Sequence, residues 1–119
     1  NNIFPSLIIS SSHKKTYNIN AKKIALISHK DIRWNNCHIK TVSLLPNVLL
    51  KQKALKKNAF ECLMLDGQGY ITEATTSNIW ILKKNTLITT PLTSNILPGV
   101  TRKKLIELAN ILRKYEKTK

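Results

Sequence analysis

The chain has 119 residues, with 20 lysines and arginines against 6 acids and a formal charge of +14. That length suits one domain around one core, with no domain boundary inside it. The basic excess would fit nucleic acid or an anionic surface, yet it is almost all lysine, spread along the chain, with only Arg33, Arg102 and Arg113 as forked donors. Lysine-rich solvation is the plainer reading. Apolar runs such as Leu7-Ile8-Ile9 and Ile79-Trp80-Ile81-Leu82 are far below membrane-spanning length, and the N-terminus lacks the basic-then-apolar order of a signal peptide. We therefore expect neither a membrane nor a nucleic-acid partner. Cys37 and Cys62 are too far apart for a Cys-x-x-Cys site, which points to a reduced, cytoplasmic setting. His13, His29 and His38 do not complete any zinc spacing with them, so no metal is expected.

In chain order, Ile3 to Ser10 reads as a strand with Pro5 near its start, and Ser11 to Asn20 as a polar loop. Lys23 to Ser28 reads as a second strand. Arg33-Trp34 opens the segment that delivers Lys40, with Trp34 expected in the core. Arg33 either pairs with a distant carboxylate or closes a local pair with Asp31. Lys40 lies among Ile39, Thr41 and Val42 with no charged residue nearby. Desolvation there would favour the neutral amine, a nucleophile or proton carrier; a lysine in such company also commonly snorkels to water. Ser43 can cap a helix with Pro46 in its first turn, buried through Val48, Leu49 and Leu55 and ending near Asn58.

Glu61 to Leu65 reads as a strand, Asp66 to Gly69 as a turn and Tyr70 to Thr72 as the return strand of a hairpin that ends at Glu73. Glu73, with no base beside it in sequence and short hydroxyls after it, could be kept ionised by hydrogen bonds to hold a proton on a heterocyclic nitrogen; a strand-end glutamate facing water is the other reading. Ser77 to Leu82 and Leu87 to Thr90 form a further strand pair around Lys83-Lys84-Asn85, closed by Pro91. Pro98-Gly99 leads into an amphipathic stretch, Lys103 to Tyr115, with Leu105, Leu108, Ala109 and Leu112 on one face. Gly99 then stands at a helix start, a natural phosphate seat, or simply in a turn. Antiparallel strands with two helices and no doubly wound alternation make the fold class α+β.

Five ordered segments resemble the class IV aminotransferases, the fold-type IV pyridoxal-phosphate enzymes. They are Asp31-Ile32-Arg33-Trp34, Cys37-His38-Ile39-Lys40-Thr41, Leu44-Leu45-Pro46-Asn47-Val48, Thr72-Glu73-Ala74-Thr75-Thr76-Ser77-Asn78 and Ile96-Leu97-Pro98-Gly99-Val100-Thr101-Arg102. The resemblance runs from about Ile24 onward. It implies that residues 1–119 are part of the large, cofactor-binding domain, an antiparallel-rich pseudo-barrel with two helices, without the family's small N-terminal domain and C-terminal end. It makes Lys40 the lysine that forms a Schiff base with pyridoxal 5'-phosphate and Glu73 the partner of the pyridine nitrogen. Val100 and Thr101 match the phosphate contacts, with Gly99 before them. Leu97 matches the residue packed on the ring, and Thr76 and Ser77 match small polar neighbours of the cofactor. Ala74 stands where many relatives have glycine. Among members, the segment around Lys40 is most similar to the D-amino acid aminotransferases. That implies amino transfer from a D-amino acid such as D-alanine to a 2-oxo acid such as 2-oxoglutarate, in a homodimer. Branched-chain aminotransferase and aminodeoxychorismate lyase are the alternatives within the family. A basic module stacking nucleic acid on Trp34, Trp80 and Tyr70 is the alternative outside it.

Overall fold

The computed structural model describes residues 6–13 and 23–113, with side chains as far as Ile111. Strand β1 (Leu26–Lys30) is followed by helix α1 (Leu45–Lys56), β2 (Glu61–Leu65), β3 (Ile71–Ala74), β4 (Trp80–Lys83), β5 (Thr86–Thr89) and α2 (Val100–Arg113). They form a three-stranded sheet in the order β1-β2-β3 and a separate β4-β5 ribbon.

The core lies where α1 crosses the larger sheet. On α1, Leu50 and Ala54 stand one turn apart and are both fully buried; on β2, the alternate residues Cys62 and Met64 are too. Helix period and strand period thus bring two apolar pairs face to face, joined by Ala59 and, at the margin, Ile27. The helix ends where Asn58 takes a left-handed φ of 54° and donates to Leu55 O at 2.9 Å, a conformation asparagine tolerates well. The turn between β2 and β3 is built on Asp66 Oδ1, which accepts from the N–H groups of Gln68 and Tyr70 at 2.9 Å each. Gly69 supplies its φ of 87°.

An α+β fold with two helices and mostly antiparallel pairing matches expectation, but several particulars differ. β1 and β2 pair in parallel, from Leu26 with Glu61 to Lys30 with Leu65, so β1-α1-β2 is one strand-helix-strand crossover that local patterning does not reveal. β1 begins three residues later than expected and β4 also starts late, at Trp80. Residues 6–10 of the expected first strand are unpaired and exposed, because no described strand lies beside them to take their hydrogen bonds; the rest of that strand, and most of the polar loop after it, fall outside the described residues. Trp34 is 45% exposed rather than core; it follows Arg33, whose backbone and side chain are both tied to Asp31. Ser43 is no cap: Leu44 occupies that position without a side-chain bond, and Ser43 N–H donates to Thr41 Oγ1 at 3.2 Å. Val48, Leu49 and Leu55, expected on the buried side of α1, are all exposed, and Leu50 and Ala54 take that face. On α2, Leu105 and Leu108 are exposed at 37% and 47%, and only Ala109 of the expected stripe is half-buried among described side chains. No helix among the described residues is long and apolar enough to cross a membrane.

Candidate active site

A cavity of about 960 Å³ opens between the first turns of α1, the segment after β3 and the start of α2. Its walls include Lys40, Glu73, Thr76, Ser77, Leu97, Gly99, Val100 and Thr101. The eight residues singled out by motif, drawn from three separate stretches, therefore share one concave space.

Lys40 is carried by a short irregular segment. His38 N–H donates to Ser94 O at 3.2 Å and Ile39 N–H to Asn36 O at 3.0 Å, which pins the approach, while α1 begins five residues later. Lys40 is exposed at the cavity rim, and its neighbours Ile39 and Val42 are exposed as well, at 48% and 96%. The apolar setting inferred from its flanking residues is not formed, because those side chains point away from the body of the protein.

Glu73 ends up buried at 6% exposure, contrary to a solvent-facing strand end. Its Oε1 pairs with Arg33, and its Oε2 accepts from Asn78 Nδ2 at 3.0 Å and from Leu97 N–H at 3.2 Å. A carboxylate offers about four acceptor sites, so three are filled and one remains. Burial raises the Glu73 pKa above the ordinary carboxylate range, partly opposed by the Arg33 charge and hydrogen bond and reinforced by nearby Asp31. Arg33 serves both pairings that the sequence leaves open, since it also meets Asp31 at 2.7 Å. Burial pulls against the Asp31 charge, but bonds from Arg33 and Thr72 outweigh it and hold that carboxyl below its usual range.

Glu61 gives no local signal in the sequence, yet it organises one wall. It is 3% exposed. It accepts from Lys51 Nζ at 2.5 Å, Thr75 Oγ1 at 2.8 Å, Thr76 Oγ1 at 2.7 Å and Thr76 N–H at 3.2 Å. Burial alone would raise its pKa; the bonds from Lys51, Thr76 and Thr75 more than reverse that. The Thr76 hydroxyl thus faces inward to Glu61. Asn47 adds a tie from α1, donating to Thr75 O at 2.8 Å.

At the far end, Lys103 N–H donates to Gly99 O at 3.0 Å, the first bond of α2. The N–H groups of Val100, Thr101 and Arg102 precede it and have no acceptor within the helix. No acid lies in this first turn. Arg102 is buried at 7%, with Nη2 donating to Thr90 O at 2.9 Å and Nε lacking a partner among described residues. An amine, a partly committed carboxylate and a positively polarised helix start can hold a planar, anionic heterocycle. Among the described residues no cluster of three or more His, Cys, Asp or Glu is placed to bind a metal.

The sequence model of the amino-transferase class IV family matches residues 4–118. The chain belongs to the class IV aminotransferases. It is 42% identical to the D-alanine aminotransferase of Bacillus licheniformis over 85 residues, 71% of this chain and 30% of that protein. A putative 4-amino-4-deoxychorismate lyase from Legionella pneumophila superposes with a TM-score of 0.71 at 27% identity, covering 82% of this chain and 37% of that one. The branched-chain amino acid aminotransferase of Thermobaculum terrenum, solved in its PLP form, gives 0.69 at 26%, covering 75% and 31%. The chain thus spans about a third of the length of these class IV relatives.

Proposed function

We propose that this chain is the cofactor-binding part of a pyridoxal-phosphate-dependent aminotransferase that takes an amino group from a D-amino acid such as D-alanine and delivers it to a 2-oxo acid. The observation that carries the reading is that Lys40, Glu73 and the start of α2 line one cavity. Membership of the class IV family supports the cofactor, and similarity to D-alanine aminotransferase supports the donor.

Pyridoxal phosphate, when bound, supplies an electrophilic carbon and a ring that withdraws electrons from the substrate α-carbon. The chain's own groups divide the remaining work. Lys40 Nζ would be the amine that holds the cofactor and, when free, the base that takes the substrate α-proton and then, as its conjugate acid, gives it back. The remaining acceptor site of Glu73 holds the proton on the ring nitrogen. The N–H groups of Val100 and Thr101, with the Thr101 hydroxyl, receive the phosphate at the positive end of α2. Leu97 packs on the ring, and Thr76, Ser77 and Gly99 shape the wall. The same reading includes a cytoplasmic homodimer, which sedimentation of the full-length protein would test.

The decisive experiment adds pyridoxal phosphate and then borohydride to the full-length protein, followed by peptide mapping. A reduced adduct on Lys40 is expected, and one on another lysine overturns the assignment. Half-reactions with D-alanine, L-leucine and aminodeoxychorismate then fix the donor, with D-alanine expected to react fastest.

A further inference from the structure

Asn78 stands between the two ends of the proposed cofactor site. Its Nδ2 donates to Glu73 Oε2 and to Leu97 O, each at 3.0 Å, while Leu97 N–H reaches the same Glu73 oxygen at 3.2 Å. Acid, amide and turn close a small ring of hydrogen bonds. With Nδ2 committed to these two acceptors, Oδ1 is turned toward Gly99. A Cβ built on Gly99 would overlap that oxygen. Gly99 is not among the residues with positive φ, so its backbone conformation admits other residues. What forbids a side chain there is the Asn78 amide, not the turn.

We infer that Asn78 is a positioning residue that fixes the spacing between Glu73 and the first turn of α2, and that position 99 is glycine in order to seat the Asn78 side chain. The inference rests on the cofactor reading above. A rigid ring with a nitrogen at one end and a phosphate on a short arm presents two polar groups at nearly constant separation. The groups that receive them must be held to within about 0.5 Å. Asn78 is the side chain that bonds to Glu73 and to the 97–99 turn together. It contributes no reacting atom. Because its N–H stabilises the charged form of Glu73, whose other charged neighbours are Arg33 and, beyond it, Asp31, losing it lets Glu73 take up a proton at higher pH.

The test uses Asn78→Ala, Asn78→Asp, Gly99→Ala and the double variant Asn78→Ala with Gly99→Ala in the full-length protein. Without cofactor, Gly99→Ala should lower the melting midpoint by roughly 5 °C through overpacking, whereas in the Asn78→Ala background the same change should cost little further. Losses that simply add in the double variant overturn the packing relation. With pyridoxal phosphate, Asn78→Ala should weaken binding by about tenfold or more, the value of a charge-assisted hydrogen bond. It should also move the acid limb of the bound cofactor's absorbance to higher pH, and Asn78→Asp should move it further. Unchanged affinity and an unchanged pH profile overturn the positioning role. A wild-type protein that binds no pyridoxal phosphate overturns the cofactor reading itself, and the melting cycle then still decides whether Asn78 and Gly99 lock Glu73 to the turn.

Discussion

Arg33 and Glu73, forty residues apart in sequence, form an ion pair with side-chain exposures of only 6% and 8%. The same guanidinium also meets Asp31 at 2.7 Å and Asn95 O at 2.9 Å. One side chain therefore joins the loop after β1, the end of β3 and the approach to α2. Burial works against the Arg33 charge, but Asp31 and Glu73 overcome it and hold its pKa well above the ordinary arginine value, so the guanidinium stays charged at any working pH.

Replacing Arg33 by methionine keeps the bulk and removes the charge, leaving Asp31 and Glu73 as close, unpaired acids. Breaking one side of a buried pair costs about 3–5 kcal/mol, so the urea midpoint of the full-length protein should fall clearly. Glu73 should also titrate at higher pH. Arg33→Lys should recover only part of the stability, because an ammonium cannot span Asp31, Glu73 and Asn95 as a fork does.

Glu61→Gln should destabilise by about 2–3 kcal/mol at neutral pH, the scale of hydrogen bonds to a charged group. The folded-state pKa of Glu61 lies below its unfolded value, so its contribution is present above the unfolded pKa of about 4.3 and is lost as pH falls through the folded value. The gap between wild type and variant should therefore shrink between pH 5 and pH 3. A gap that is constant with pH would show that the loss is one of shape alone.

Lys40→Arg keeps a positive charge but removes the primary amine that a Schiff base needs. Turnover of the proposed donor, D-alanine, by the full-length protein should fall by about 10²–10⁴-fold, the worth of a positioned acid–base group. Borohydride reduction should no longer fix cofactor to the protein.

Leu50→Ala tests the core beneath the site. Leu50 is fully buried against Cys62 and Met64 of β2, and its truncation should cost about 2–5 kcal/mol. Because α1 carries Asn47 to Thr75 O and Lys51 to Glu61, which in turn holds Thr75 and Thr76, cofactor affinity should fall with it. A stability loss with unchanged affinity would separate the core from the wall.

Local chemistry makes some of this legible in the sequence. The limits of β2 fall where they were expected because turn residues follow it, and α2 begins just past Gly99 because Pro98-Gly99 cannot easily extend a helix backward. The motif residues were legible as a group, and they do line one cavity. What stayed hidden depends on partners remote in sequence. The parallel pairing of β1 with β2 joins residues 35 positions apart, as with Leu26 and Glu61. Thr76 reaches Glu61 across 15 residues and Arg33 reaches Asn95 across 62; no spacing rule covers such contacts. The exposure of Trp34 escaped for the same reason, since an indole is buried only if some other segment covers it.

Three acceptor sites on Glu73 are engaged by the protein itself, so under the proposed function one lone pair is left to receive the proton of the ring nitrogen. On that proposal, a carbon-for-nitrogen analogue of pyridoxal phosphate, matched in shape and in phosphate, brings no N–H to Glu73 and leaves a buried lone pair unpaired. Such a compound should bind worse than its outline suggests, which would place discrimination among look-alike ligands at the ring's edge and not in fit alone.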